Sequence, residues 1–283
     1  MRGVGGPTVR LRRLSGELTR LRRESGFVRE EVARRLGVAV STVYRIEAGH
    51  SRPHTRTIRD LLDLYGVEGS AREALIALAR DAGRRGWWRA YDDVLPGPYV
   101  GMEAEASSVR NYEPLLVPGL LQTEDYARAA IGAALVKDPA EIERRAAARM
   151  ERQRRLTGPG AMELWAVLDE AALRRPVGGP PVMAEQLRTL RDRALQPNVT
   201  VQVLPFDAGA YLGMGNSMAI LAFPDPGDAD VVLLENMSGE LYLEGSAEIR
   251  EYAQVFDHLR AAALGPEKSM EMIISVEKEM AGR

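Results

Sequence analysis

The sequence predicts an all-α N-terminal module of five short helices followed by a larger α+β domain. Three observations predict it. Up to about residue 80 the apolar residues recur with helical period and are punctuated by glycines at helix ends. Beyond Gly160 the pattern changes to short runs rich in Val, Leu and Ile, the signature of strands. The charge is also divided. Residues 1–86 carry 18 Arg against 10 Asp and Glu, a balance of +8, whereas the remainder carries −10 within a chain of net charge −2. With 283 residues, 45% of them hydrophobic, the chain can bury one generous core or two unequal ones.

Residues 1–13 read as a flexible tail, 14–82 as the helical domain and 87–283 as the α+β domain. The first helix is expected over 15–25, with Leu14, Leu18 and Leu21 on one face and Gly26 ending it. A second, over 29–36, turns Val32, Ala33 and Leu36 inward. Gly37 follows where a helix needs a left-handed residue to stop. A third short helix begins three residues later and runs through Val43 and Ile46 to Gly49. Residues 55–65 and 70–80 supply a fourth and a fifth, with Ile58, Leu61, Leu62, Leu75 and Leu78 facing in.

The spacing of Ala33, Gly37 and Val43 carries the assignment. Two helices crossing steeply over a turn of three or four residues need a small residue where they approach, a glycine in the turn and an aliphatic anchor on the second helix. The run EEVARRLGVAVSTVYRIEAG with the following RPHTRTIRDLLDLYGV resembles the lambda-repressor-like (Xre-type) helix-turn-helix family, over residues 14–80. That resemblance implies double-stranded DNA as partner, with the third helix lying in the major groove. By position, Val40, Ser41, Thr42, Tyr44 and Arg45 would read bases, Arg45 on a guanine edge and Val40 against a thymine methyl. Arg29 and Arg52 would hold phosphates, which sets register without reading sequence. Glu47 would be structural, pairing with a nearby arginine. The second and third helices depart from the family by opening on Val28 and Ala39 where a hydroxyl cap is usual. Each missing cap costs about 1 kcal/mol. Glu31 still occupies the capping-box position.

A boundary is expected around 81–86. After it, Trp87, Trp88, Tyr91 and Tyr99 place four of the sixteen aromatics within thirteen residues. They fit either a hydrophobic plug between domains or an anchor for a partner protein. Asp138-Pro139-Ala140-Glu141 is a capping box opening a helix to about residue 156. That helix carries Arg144, Arg145, Arg149, Arg152, Arg154 and Arg155. Glu141 and Glu151 stand four residues before Arg145 and Arg155, which favours a solvated face over a second nucleic-acid surface. Strands are expected over 162–168, 199–205, 218–223, 231–235 and 240–243, with helices over 182–195 and 247–263 and a further one after Pro266. The irregular order of helices and strands favours α+β over a doubly wound sheet.

Candidate chemistry is thin. Asp169-Glu170 reads as a helix start after a strand. Gly213-Met214-Gly215 lacks the strand-turn-helix context of a phosphate loop, and no serine or histidine has a nucleophile arrangement. There is no cysteine, and His50, His54 and His258 have no metal-ligand spacing. No enzyme activity, metal or cofactor is therefore expected. The opening arginines are followed by no apolar stretch and no run is long enough to span a bilayer, so a cytoplasmic protein without a membrane partner is expected. Arginine outnumbers lysine 35 to 3, as GC-rich coding produces.

The runs WWRAYDDVLP, YEPLLVPGLLQTEDYARA, VLDEAALRRPVGG, QPNVTVQVLPFDAG and GELYLEG resemble the C-terminal domain of a large actinobacterial group of Xre-type regulators. That domain is one of unknown function, in proteins described as toxin–antitoxin-like transcriptional regulators. The resemblance covers most of 87–265. It implies a transcription regulator of development or secondary metabolism, often with a small cognate partner protein, and brings no catalytic residue. Paired DNA-binding modules suit a homodimer on two half-sites. The alternative is an antitoxin-like protein that chiefly binds its partner and uses DNA for autoregulation.

Overall fold

The computed structural model describes residues 9–82, 86–95, 97–134, 136, 138–225, 227–236 and 239–282. They divide into two compact units, one running to Asp92 with 97–102, the other comprising 93–95 and Glu103 onward.

The first unit holds α1 (Val9–Glu24), α2 (Arg29–Leu36), α3 (Val40–Glu47), α4 (Thr55–Leu64) and α5 (Gly69–Asp81). Its core takes Leu14 and Leu18 from α1, Val32 and Ala33 from α2, Val43 and Ile46 from α3, Ile58, Leu61 and Leu62 from α4, and Leu75 and Ala79 from α5. The apolar stripes expected from the sequence meet there. Gly37 ends α2 in the left-handed conformation, φ 66°, which an L side chain resists. Its N–H donates to the Arg34 carbonyl and that of Val38 to the Ala33 carbonyl, a Schellman stop.

Several expectations need correction. Helix α1 starts at Val9, so residues 9–13 are helical and not a flexible tail; residues 1–8 lie outside the described residues. Val9 is buried. The break expected around 81–86 falls within the first unit, which also takes in the 3₁₀ turn Trp87–Tyr91. The Trp88 indole lies over Gly86, where a Cβ would stand 2.0 Å from its ring, and against Gly101 at 3.3 Å. Aromatic contact thus joins 86–91 to 99–102. Val28 and Ala39 cap neither α2 nor α3, and Glu31 accepts from Arg35 at 2.9 Å.

The second unit is built on a six-stranded mixed sheet. Its strands are β1 (Ser108–Glu113), β2 (Glu163–Asp169), β3 (Val199–Leu204), β4 (Met218–Ala222), β5 (Val231–Asn236) and β6 (Gly239–Leu243), in the order β3-β2-β1-β4-β5-β6. β1, β2 and β3 are parallel; β4, β5 and β6 run antiparallel in succession from β1. The helices are α6 (Tyr99–Glu105), shared with the first unit, then α7 (Glu124–Gly132), α8 (Pro139–Arg152), α9 (Glu170–Arg174), α10 (Pro180–Ala194), α11 (Ser246–Ala262) and α12 (Pro266–Ala281). The five strands expected from the sequence are present within two residues at each end. The missed strand is β1, although it pairs on both edges. Only Val109 and Tyr112 of SVRNYE are buried, so it carries neither period-2 alternation nor an apolar run.

The run from Tyr112 to Tyr126 is braced by buried glutamines. Gln122 donates to the Val117 carbonyl at 2.7 Å, Gln153 to that of Gln122 at 2.6 Å, and Gln186 to that of Leu121 at 2.8 Å. Gln186 also accepts from the Thr123 N–H at 2.7 Å. A buried loop must find partners for its peptide groups, and these three amides provide them.

The uncapped helix starts are testable. Val28 and Ala39 both have the extended backbone that a cap residue adopts. Val28→Ser and Ala39→Ser should each stabilise the helical unit by about 1 kcal/mol, read as a raised midpoint in urea unfolding followed by circular dichroism.

Candidate nucleic-acid interface

Helix α3 is held from beneath by one carboxylate. The Glu47 side chain, 3% exposed, is paired with Arg22 of α1 and Arg29 of α2. Arg22 donates through Nε and, at 3.2 Å, through Nη2; Arg29 donates through Nε at 2.7 Å. Arg22 Nη1 also donates to the Phe27 carbonyl at 2.8 Å, fixing the turn between α1 and α2. Pairing with Glu47 pushes the Arg22 guanidinium further up. Burial, and then the charge of Glu47, pushes the Tyr65 phenol up to about 12. Ser15 of α1 donates to the Ile46 carbonyl at 2.6 Å, a second tie to the end of α3. Three bonds from α1 and one from α2 therefore set the pose of α3, with Val43 and Ile46 packed inward.

That pose decides what faces outward. Val40, Ser41, Tyr44 and Arg45 are exposed, and Thr42 is half-buried. Val40 and Tyr44 are among the few large hydrophobic residues left exposed, at 40% and 50%. Arg45 has no ion pair or hydrogen bond through its side chain among the described residues. Arg52 is exposed in the bend after α3. Arg29 differs from these: it is tied to Glu47, and its guanidinium lies 5.4 Å from the centre of the Tyr44 ring. The residues that sequence reasoning passed over are Arg22, which closes the Glu47 clamp, and His50, whose ring meets that of Tyr44 edge-on at 6.3 Å. Arg22 falls on the buried stripe of α1, four residues after Leu18, and an arginine there is the available signal.

Residues 13–75 match the model of a helix-turn-helix domain. Residues 97–275, more than half of the chain, match that of a domain of unknown function, DUF5753. The chain belongs to the DUF5753 family. No curated protein and no solved structure matches it. The helix-turn-helix domain supports a DNA-binding regulator. Among the described residues no helix is long and apolar enough to cross a membrane.

Within the DUF5753 domain the charged groups singled out by the sequence are engaged internally. Asp169 caps α9, accepting from the Ala171 N–H at 2.8 Å, and takes the Tyr211 hydroxyl, which in turn meets that of Tyr112 at 2.6 Å. Glu170 accepts from Arg174 and, at 2.8 Å, from the Phe206 N–H. Gly213-Met214-Gly215 lies in the loop before β4. On α8 and the turn after it, Arg144 pairs with Asp93, Arg145 with Glu141 and Arg152 with Glu103, and Arg149 donates to Gln122. Glu151 pairs with Arg154, not with Arg155 as its spacing suggested. The helix tightens to a 3₁₀ turn over Gln153–Leu156, and Arg155 reaches the carbonyls of Ala106 and Gly160 instead. Trp87 meets Trp88 at 6.2 Å and Tyr91 at 6.0 Å, both edge-on. These three and Tyr99 are half-buried.

Glu113, at the end of β1, is half-buried, and its described hydrogen-bond partner is Asn111 at 3.4 Å. Burial pushes its carboxyl from 4.5 up to about 8. Burial and the neighbouring Arg152 lower the Arg149 guanidinium to about 10.

Two predictions follow from these environments. Glu47→Ala leaves Arg22 buried without its carboxylate and should destabilise the helical unit by about 3–5 kcal/mol, measured by urea unfolding. The folded chain keeps the Glu113 proton that the unfolded chain releases near 4.5, so this group's contribution is complete below that pH and is lost as pH rises through 8. Glu113→Gln should therefore flatten the fall in stability of the DUF5753 domain between pH 5 and 8, read from its urea midpoint across that range.

Proposed function

We propose that the chain is a sequence-specific transcriptional regulator of the lambda-repressor-like (Xre) type that reads an operator through α3 as a homodimer. The observation that carries this reading is the clamped pose of α3. Its arginine, Arg45, has no side-chain ion pair or hydrogen bond among the described residues, and Val40, Ser41 and Tyr44 are exposed with it. Those groups match what a major groove offers. Arginine pairs with guanine O6 and N7, a hydroxyl with either donors or acceptors, and an aliphatic residue with the thymine methyl. Arg52 serves as a phosphate contact that sets register. The surplus of basic residues up to 86 supplies the attraction to the duplex. In this reading the DUF5753 domain is a non-catalytic regulatory part that tunes operator occupancy, through a small cognate partner protein and within the cytoplasm, as the resemblance to actinobacterial regulators implies.

Fluorescence anisotropy with the chain's own promoter and a shuffled duplex, between about 50 and 200 mM salt, tests the reading. The promoter should be preferred by on the order of 10³. Arg45→Ala should abolish most of that preference, whereas Arg52→Ala should weaken both duplexes alike and lower the salt slope by about one. Equal, weak binding of both duplexes overturns DNA reading by the free chain.

A further inference from the structure

Arg29 was expected at a phosphate, and its surroundings give it another task. Its Nε is bound to a carboxylate that is itself buried and held by Arg22, so the guanidinium is anchored at its base. From there it covers the face of Tyr44, 5.4 Å from the ring centre, within the range where a cation is attracted to an aromatic face. His50 meets the same ring edge-on, at 6.3 Å and 76°. An exposed tyrosine on a helix ordinarily exchanges rotamers within nanoseconds. Tyr44 is half exposed, yet it is flanked on one face by a tethered cation and on an edge by an imidazole.

We propose that Arg29 is a positioning residue for base reading: tethered to Glu47 and placed over Tyr44, it fixes the Tyr44 ring on the outward face of α3 and makes Tyr44 a specificity determinant. This rests on the operator-reading function proposed above. The guanidinium is essential, because it is anchored at Nε while its Cζ lies over the ring, and an ammonium cannot do both. The positioned ring stands one helical turn beyond Val40 and beside Arg45. It therefore limits which base edges those neighbours can approach. A phosphate clamp would need only the charge; a positioning residue needs the shape.

The experiment uses the full chain and a duplex selected by it from a randomised pool, with a scrambled duplex as reference. Wild type, Arg29→Lys, Tyr44→Ala and the double variant are compared by anisotropy over a salt series, after circular dichroism has shown each to be folded. Arg29→Lys should keep the salt slope but lower discrimination by roughly tenfold, a loss within the range of one base contact. Tyr44→Ala should lower it as much or more, and adding Arg29→Lys to Tyr44→Ala should change discrimination no further. If Arg29→Lys unfolds the domain, Arg29→Gln retains an N–H donor for Glu47 and should show the same loss of discrimination, with a lower salt slope. Arg29 variants that discriminate like wild type, or whose effect adds in full to that of Tyr44→Ala, overturn the proposal while leaving operator reading intact. A wild-type chain that selects no duplex overturns operator reading first, and the specificity role with it.

Discussion

The buried carboxylate of Glu47 is the point on which the helical unit turns. A carboxylate taken out of water is costly unless its oxygens are met by charged donors. Here they are met by Arg22 from α1 and Arg29 from α2. The consequence is geometric. Apolar packing alone tolerates small slides of one helix on another, but a hydrogen-bonded pair on one oxygen and a second on the other do not. Because Arg22 also reaches the Phe27 carbonyl, the same group ties together α1, the turn after it, α2 and the end of α3. The placement of α3 is set from its inward end, where the charge is satisfied.

The DUF5753 domain follows the same rule with neutral groups. The loop between β1 and α7 is buried at Val117, Leu120 and Leu121, and its peptide groups lack the ladder a strand would offer. Gln122 of the loop itself, Gln153 from the turn after α8 and Gln186 from α10 supply the missing partners. Amides are suited to this because each brings both donors and an acceptor without the cost of burying a charge. The YEPLLVPGLLQTEDYA run is thus explained by structure: its glutamine, threonine and second tyrosine all hold backbone, with the Tyr126 hydroxyl accepting from the Val117 N–H at 3.1 Å.

Arginine plays opposite parts in the two units. On α8 the side chains that resemble a basic stripe in sequence are turned to Asp93, Glu103, Glu141 and Gln122, so the stripe is spent on internal contacts. On α3 Arg45 is exposed with its side chain uncommitted among the described residues. Charge count alone misranks these cases, since α8 carries four arginines and α3 only Arg45. Partner geometry separates them.

Much was legible in advance. The helical stripes of α1 to α5, the stop at Gly37, the absence of caps at Val28 and Ala39 and five of the six strands all follow from local period and backbone chemistry, which act within a few residues. The outward placement of Val40, Ser41, Tyr44 and Arg45 also follows, because Val43 and Ile46 leave a helix only one face to show. The central strand β1 was not legible: its place is set by β2 and β4 on either side, and a polar hexapeptide carries no trace of partners 50 or more residues away. Nor was the task of Arg29. Its position at the head of α2 is written in the sequence, but the bond to Glu47 and the contact with Tyr44 span 18 and 15 positions of chain and exist only once α2 and α3 have crossed. Period and caps are properties of neighbours in the chain; a shared carboxylate and a covered ring are properties of neighbours in space.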